Sequence, residues 1–301
     1  MNINILKFQQ NRDLSLVQFS TEYKNTFEYI SLSTAINNNY LEITEIDESG
    51  DVNNLIALNK SDYYIFIMDG DVLEGAKQNR VMNSSVLLAP KRKYFIPVSC
   101  VEQGRWRFVS KKFSNAKYSA PVGLRAKRTV KVSERLASHG KHAADQSEVW
   151  HSVEGYSHMF SVHSPTSSLS DVYEEKSDKF EQFISSFEKN NSANGLAVFV
   201  RKNLLCLDVF NRTDIYEEYF DKILRGVAFE AFMLKPGKDK LTEAEANYKT
   251  QDFFDVYETI EKNTYPGIGV GTEFRFESDE VTGVELKYNE HPIHLTALSL
   301  K

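Results

Sequence analysis

Short apolar blocks separated by polar turn residues run through much of this chain, and the blocks have the length of strands. Residues 41–46 (LEITEI) alternate with a period near two, while 63–68, 86–88 and 94–98 are apolar or β-branched runs. Such runs, bounded by turn residues, predict strands. The segment 47–51 (DESGD) and the tetrapeptide Met68-Asp69-Gly70-Asp71 read as turns. Between them, residues 52–71 read as two strands about a turn at 59–62, which their β-branched and aromatic content favours over a short helix. Residues 14–40 are mixed and give no clean period. Residues 74–80 fit either a helical turn with Glu74 and Gln78 on one face or an extended arm.

Further along, 129–132 is strand-like, and 133–150 reads as a broken helix or two short ones around His139-Gly140-Lys141-His142. The loop SPTSSLS ends in Ser170 as a helix cap. The helix it opens covers 171–189, with Phe180, Phe183, Ile184 and Phe187 at helical spacing. Residues 196–200 and 204–210 flank Arg201-Lys202-Asn203 as a hairpin. A second long helix over 216–234 is stopped by Lys235-Pro236-Gly237, and 242–259 is helix-prone. Strands at 271–276, 281–288 and 293–300 close the chain. The pattern predicts an α+β fold with a mixed or largely antiparallel sheet system and helices concentrated in the second half. Strands of the 63–108 stretch and of 271–300 are expected in one sheet system, because either set alone leaves an apolar face exposed. One domain over 1–301 is expected, with a candidate subdivision near 133–170.

Composition narrows the class. The chain has 301 residues, a formal net charge of −6 and 41% hydrophobic residues, and its 20 Phe and 15 Tyr point to cores filled with rings. Cys100 and Cys206 are its 2 cysteines, which suits a reducing compartment and is too few for a cysteine zinc cage. The opening MNINILKFQQN lacks a signal-peptide pattern and no 18-residue apolar run occurs, so a cytoplasmic location is expected. Local charge departs from the acidic total between Arg105 and Lys131, where Arg105, Arg107, Lys111, Lys112, Lys117, Arg125, Lys127, Arg128 and Lys131 are interleaved with Trp106, Phe108, Phe113 and Tyr118. That run reads as a solvated basic face or, alternatively, as a phosphate or nucleic-acid contact surface.

The usual nucleotide motifs are absent: no GxGxxG follows a strand, and there is no GxxxxGK(S/T). GIGVG at 267–271 reads as a turn or bulge entering a strand. There is no HExxH, and the His139/His142 pair has an intervening glycine that loosens it as a metal site. Cys100 reads as a small buried hydrophobe or a nucleophile whose neighbours Glu102 and Arg105 pull in opposite directions. In NEHPIHL, Pro292 holds His291 and His294 near each other, which makes His294 a candidate acid or base.

The carboxylates at strand tips are the stronger candidates. Asp69, Asp71 and Glu74 lie close in sequence, and Glu102 approaches them if 86–88 returns beside the first strand; such a group could hold a divalent metal or divide acid and base work. Paired with Arg80 and Arg105, the same carboxylates could instead brace the fold. The site expected from chemistry therefore has Glu74, Glu102 and His294 as catalytic groups. Gln78, Asn79, Arg80, Arg105 and Trp106 would form the ligand-binding set.

GDVLEGAKQNRVMNSSVLL followed by IPVSCVEQGRWRF resembles the ARG and rhodanese-phosphatase-superfamily-associated protein domain family, as do GLAVFVRKNLLCLDVFNR and VTGVELKYNEHPIHLTALS. The resemblance marks Gly70, Glu74, Gly75, Gln78, Asn79, Arg80, Pro97, Cys100, Glu102, Arg105 and Trp106. The family's name implies association with ADP-ribosylglycohydrolase-like and phosphatase-like proteins, and hence a link to nucleotide or ADP-ribose metabolism. It carries no reaction with it. The expected function is hydrolysis of a phosphate- or ribose-bearing small molecule; the alternative is a non-catalytic ligand- or protein-binding module. The expected partner is a polar small molecule with phosphate or carboxylate groups, nucleic acid being the weaker candidate, and a divalent metal the candidate cofactor.

Overall fold

The structure is a computed structural model that describes residues 1–233, 237 and 240–301. Strands β1 (Ile3–Asn11) and β2 (Leu14–Thr21) open the chain. After β3 (Ile30–Ser31), the Ser31 hydroxyl caps helix α1 (Leu32–Asn37), and β4 (Leu41–Thr44) and β5 (Asn54–Asn59) follow. The central stretch is all strand: β6 (Ile65–Ile67), β7 (Asp71–Gly75), β8 (Arg80–Met82), β9 (Val86–Leu88), β10 (Lys93–Cys100) and β11 (Phe113–Ser119). Next come α2 (Val122–His139), α3 (Gln146–Phe160), α4 (Leu169–Glu175) and α5 (Ser177–Ile184). The hairpin β12 (Gly195–Val200) and β13 (Asn203–Phe210) leads to α6 (Thr213–Met233) and α7 (Glu243–Thr259). β14 (Asn263–Pro266), β15 (Thr272–Glu277), β16 (Val281–Tyr288) and β17 (His291–Ser299) end the chain. The fold is α+β, its sheets are almost wholly antiparallel, and its helices lie mostly between residues 120 and 260.

An eight-stranded antiparallel sheet runs β1-β2-β12-β13-β17-β16-β15-β14 and so joins both ends of the chain. Its central strands β2, β12, β13 and β17 are buried on both faces, and period-two alternation decides which core each residue enters. Val17, Phe19, Ala197, Phe199, Leu207, Val209, Leu295 and Ala297 meet Phe254 and Tyr257 of α7 in one cluster. Leu16, Leu196, Val198, Cys206, Phe210 and Leu298 turn to the other side, against α6 and the helices before it. A six-stranded sheet, β11-β7-β8-β10-β5-β4, encloses a second core with α1. Between the two cores stands the small sheet β3-β6-β9: Ile65, Ile67, Val86 and Leu88 enter one, Phe66 and Leu87 the other.

Several local expectations fail where tertiary packing overrides them. The central strands do not join the sheet of the terminal strands; they form two sheets packed against it, with one parallel bridge from Leu87 to Gly269. Gly269 has φ of 86°, and a Cβ there would lie 2.2 Å from the Leu87 carbonyl oxygen, so this approach requires glycine. Residues 129–132 lie inside α2, not in a strand. Arg125, Arg128, Val132 and Leu136 of that helix recur every three or four residues on its buried side, with Leu124 beside them, and burial of that stripe outweighs the β propensity of Thr129, Val130 and Val132. The single helix expected over 171–189 is two helices broken at Lys176, and its cap is Ser168 rather than Ser170. Both halves keep their apolar spacing because Tyr173 and Phe180 pack on Phe229, and Phe183 on Phe232, of the same helix α6. The stop expected at Lys235-Pro236 lies outside the described residues.

Helix α6 also supplies a carboxylate to the start of α2. Glu230 Oε1 accepts the Gly123 N–H at 2.9 Å, while Oε2 is buried without a partner. Burial pushes this carboxyl up to about 7, against the opposing pull of backbone N–H groups. A folded-state value above the unfolded one means that the group costs nothing below the unfolded value and destabilises the fold progressively as pH rises through the folded value. Urea denaturation between pH 5 and 8 therefore should show a loss of about 1–3 kcal/mol in the wild type that Glu230→Gln removes; parallel profiles for the two proteins would refute it.

Candidate functional site

The residues expected to act together separate into three places. Glu102, just after β10, receives both arms of Arg105, Nε at 2.8 Å and Nη2 at 2.6 Å, with Asn79 N–H and the Thr166 hydroxyl as further donors. Arg105 continues to the carbonyls of Ala76 and Gly75 and to Asn79 Oδ1. From Asn79 the chain of hydrogen bonds passes through Ser170 to Glu74 Oε1, which also accepts from Tyr118 at 2.6 Å. Glu74, Asn79, Glu102 and Arg105 are thus linked. The hairpin β7–β8 puts Glu74 and Asn79 there, through a bend at Ala76 with φ of 41° and neither a helical turn nor a straight arm, and the loop after β10 brings Glu102 and Arg105.

Gln78 and Arg80 lie beside this chain. Arg80, fully buried, donates to Gln78 Oε1 at 3.2 Å and to Glu45 Oε1 at 3.4 Å, and its Nε has no partner. Burial pushes the Glu45 carboxyl up despite Arg80. Trp106 is 45% exposed and covers Arg80 at 5.6 Å and Lys77 at 5.2 Å. Among the charged groups of this cluster, Glu102, Arg80 and Arg105 spend their hydrogen bonds inside the protein, whereas Glu74 opens onto a cavity of about 310 Å³. Tyr118, Tyr173, Phe180, Lys117 and Arg225 also line that cavity.

Asp69 and Asp71 do not join Glu74 and Glu102, which corrects the expected carboxylate group. Asp69 lies in the turn at Gly70 whereas Asp71 opens β7, and their partners differ: Asp71 accepts from Lys222, Tyr219 and the Met68 N–H, Asp69 from Arg125. His294 is likewise remote from Glu74 and Glu102 in bonding, and His291 stacks instead on Phe27. The run 105–131 is not one basic face either, because Arg125 and Arg128 are buried and Arg105 is held by Glu102. Burial pushes the thiol of Cys100 up to about 11, which fits a packed hydrophobe.

A group that sequence reasoning did not assemble lies at the seam of the cores. Register pairs Asp208 of β13 with Thr296 of β17 and Phe210 with His294, so Asp208, Thr296 and His294 share one face. Arg125, in the first turns of α2, binds Asp208 through Nη1 (3.1 Å) and Nη2 (2.7 Å), Asp69 through Nε (3.1 Å) and Nη2 (3.2 Å), and Thr296 at 3.0 Å. His294 lies 3.2 Å from Asp208 by Nε2 and 3.0 Å from Ser85 Oγ by Nδ1. Gly70, with φ of 83°, makes room: a Cβ there would come within 2.9 Å of the Arg125 side chain. Burial alone would raise both carboxyls, yet Arg125 and His294 hold them below the usual range. Asp69, Asp208 and His294 could hold a divalent metal, since one ligand atom from each lies within 4.8 Å of the others. Arg125 already takes the same carboxylate oxygens, so an ion would have to displace it. The signals for this group were the isolated Asp208 in an apolar strand and Arg125 on the buried face of α2.

The chain matches the ARG and Rhodanese-Phosphatase-superfamily-associated Protein domain over residues 2–298. It belongs to that family. No curated protein and no solved structure matches it. Among the described residues of this family member, no helix is long and apolar enough to cross a membrane. Glu74, Asn79, Glu102 and Arg105, which the sequence resemblance singles out, form the linked hydrogen-bond chain.

Proposed function

We propose that this domain hydrolyses a phosphate- or ribose-bearing small molecule bound in the Glu74 cleft, with Glu74 as general base. The observation that carries this reading is a carboxylate oriented from behind by Tyr118 and Ser170 and open in front to a 310 Å³ cavity. Lys117 and Arg225 on the rim suit anionic oxygens, and Tyr173 and Phe180 offer apolar contact to a sugar or base. Arg225 is held by Glu181 at 2.7 Å, which fixes its guanidinium beside the cavity. Glu102 and Arg105 act here by positioning Asn79, and through it Ser170. Asp69, Asp208 and His294 do not line this cavity, so an ion bound by them would support the fold rather than touch the ligand.

A second reading, recognition without turnover, is supported by the internal pairing of Glu102, Arg80 and Arg105. A panel of nucleotides, ADP-ribose and sugar phosphates, assayed for binding and product with and without divalent metal, separates the two. Hydrolysis by Glu74 requires product from at least one member, and a fall in kcat of about 10²–10⁴ in Glu74→Gln with little change in affinity. Saturable binding without product selects recognition, and no binding by any member removes both readings of this cleft.

A further inference from the structure

A cavity of about 420 Å³, sharing no residue with the Glu74 cleft, is lined by Asn53, Asn54, Phe95, Lys141 and His142 among others. His142 reaches it from the loop after α2, where Gly140, in the left-handed region, ends the helix. The imidazole is tied from behind. Its Nε2 lies 3.1 Å from Oε1 of Glu273, a fully buried carboxylate on β15. Glu273 Oε2 in turn takes Arg275 Nε at 2.8 Å, and Arg275 is anchored by the hydroxyls of Ser84 (2.7 Å) and Ser133 (3.2 Å).

This arrangement settles the proton on the imidazole. Burial would raise the Glu273 carboxyl, but Arg275 and His142 outweigh it and hold it below the ordinary range. An ionised carboxylate only accepts, so His142 Nε2 must donate, and in the neutral ring the lone pair is then on Nδ1. Nδ1 has no hydrogen-bond partner among the described residues, and the side chain stays 15% exposed. His294, by contrast, has partners at both nitrogens. A buried carboxylate that orients an imidazole and leaves its second nitrogen without a protein partner, on a residue that lines a cavity of mixed polar and apolar character, is an arrangement by which proteins present a directed acceptor or base.

We propose that this cavity is a second binding site, for a small hydroxylated anion such as a sugar phosphate, in which His142 Nδ1 accepts a hydrogen bond from a ligand hydroxyl. Lys141 meets the anionic charge, and the amides of Asn53 and Asn54 offer further donors and acceptors. Glu273 is a positioning residue: it sets the tautomer without touching the ligand. The site does not depend on the Glu74 cleft.

The test is nitrogen-15 histidine NMR of the full chain, which reads protonation at each ring nitrogen, during titration with ribose 5-phosphate and, separately, inorganic phosphate. The free protein should show His142 protonated at Nε2. Ribose 5-phosphate should shift the Nδ1 signal saturably, and inorganic phosphate should bind at least tenfold more weakly. His142→Gln, which can keep a donor to Glu273 but has no ring nitrogen, should lose at least tenfold in affinity while retaining the wild-type circular dichroism spectrum, and Lys141→Ala should weaken binding severalfold. Glu74→Gln should leave the His142 shift unchanged, which separates failure of this site from failure of the cleft. A His142 signal unmoved by millimolar ribose 5-phosphate, or moved equally by inorganic phosphate, would overturn the proposal, and so would unchanged affinity in His142→Gln.

Discussion

Arg125→Met should destabilise the fold by about 3–5 kcal/mol, as expected when one partner of a buried ionic group is removed. The guanidinium makes two hydrogen bonds to each of two buried carboxylates and one to Thr296. Without it, Asp69 and Asp208 face each other with only His294 and Ser85 for support, in a place that water does not reach. Methionine fills much of the volume, so the loss reports charge rather than a cavity. Adding Asp69→Asn and Asp208→Asn to Arg125→Met should recover part of the loss, because the uncompensated charge is gone. A divalent ion that binds Asp69, Asp208 and His294 competes with Arg125, and it should raise the melting temperature of Arg125→Met more than that of the wild type. Urea denaturation gives the first quantity and thermal scans with manganese or zinc the second. A loss below about 1 kcal/mol would mean that Arg125 contributes no more than a surface ion pair.

Phe229→Ala should cost a comparable 3–5 kcal/mol and should also reach the proposed cleft. Phe229 is completely buried on α6 and touches the rings of Tyr156, Phe160, Tyr173 and Phe180 at centroid distances of 4.8–5.1 Å. Four rings cannot close over the vacated volume without leaving their rotamers, so most of the cavity penalty persists. Tyr173 and Phe180 line the Glu74 cleft, and Tyr173 stacks at 3.6 Å on Tyr118, whose hydroxyl orients Glu74. A ligand of the cleft should therefore bind more weakly to Phe229→Ala even where the variant is fully folded. Phe229→Leu should lose about half as much stability. Equal denaturation midpoints for wild type and Phe229→Ala would contradict the packing described here.

Local pattern made much of the secondary structure legible. The hairpins β12–β13 and β15–β16 announce themselves as strand-like runs flanking Arg201-Lys202-Asn203 and Ser278–Glu280, and α7 as a helix-prone stretch whose start the structure fixes with a capping box of Thr242 and Glu245. Where local and tertiary preferences conflicted, tertiary packing prevailed: Thr129, Val130 and Val132 entered a helix because the other residues of α2 had an apolar stripe to bury. The break at Lys176 was invisible for a related reason, since spacing that suits one helix also suits two that pack on a common neighbour.

The candidate sites divide in the same way. Glu74, Asn79, Glu102 and Arg105 were legible as a group because they occupy neighbouring hairpin and strand tips, within about 30 residues of one another, and short connections keep such residues close. Asp69, Arg125, Asp208 and His294 are separated by 56, 83 and 86 residues along the chain. Local pattern placed Asp208 and His294 on faces of their strands, Arg125 on a face of α2 and Asp69 in a turn. That Asp208 lies opposite Thr296 depends on the register of β13 with β17, and that Arg125 lies between the two carboxylates depends on where α2 packs across β16 and β17. A residue's face is determined by its immediate neighbours in the sequence, whereas its partner across the core is determined by the docking of elements far apart in the chain, and only the tertiary structure decides that.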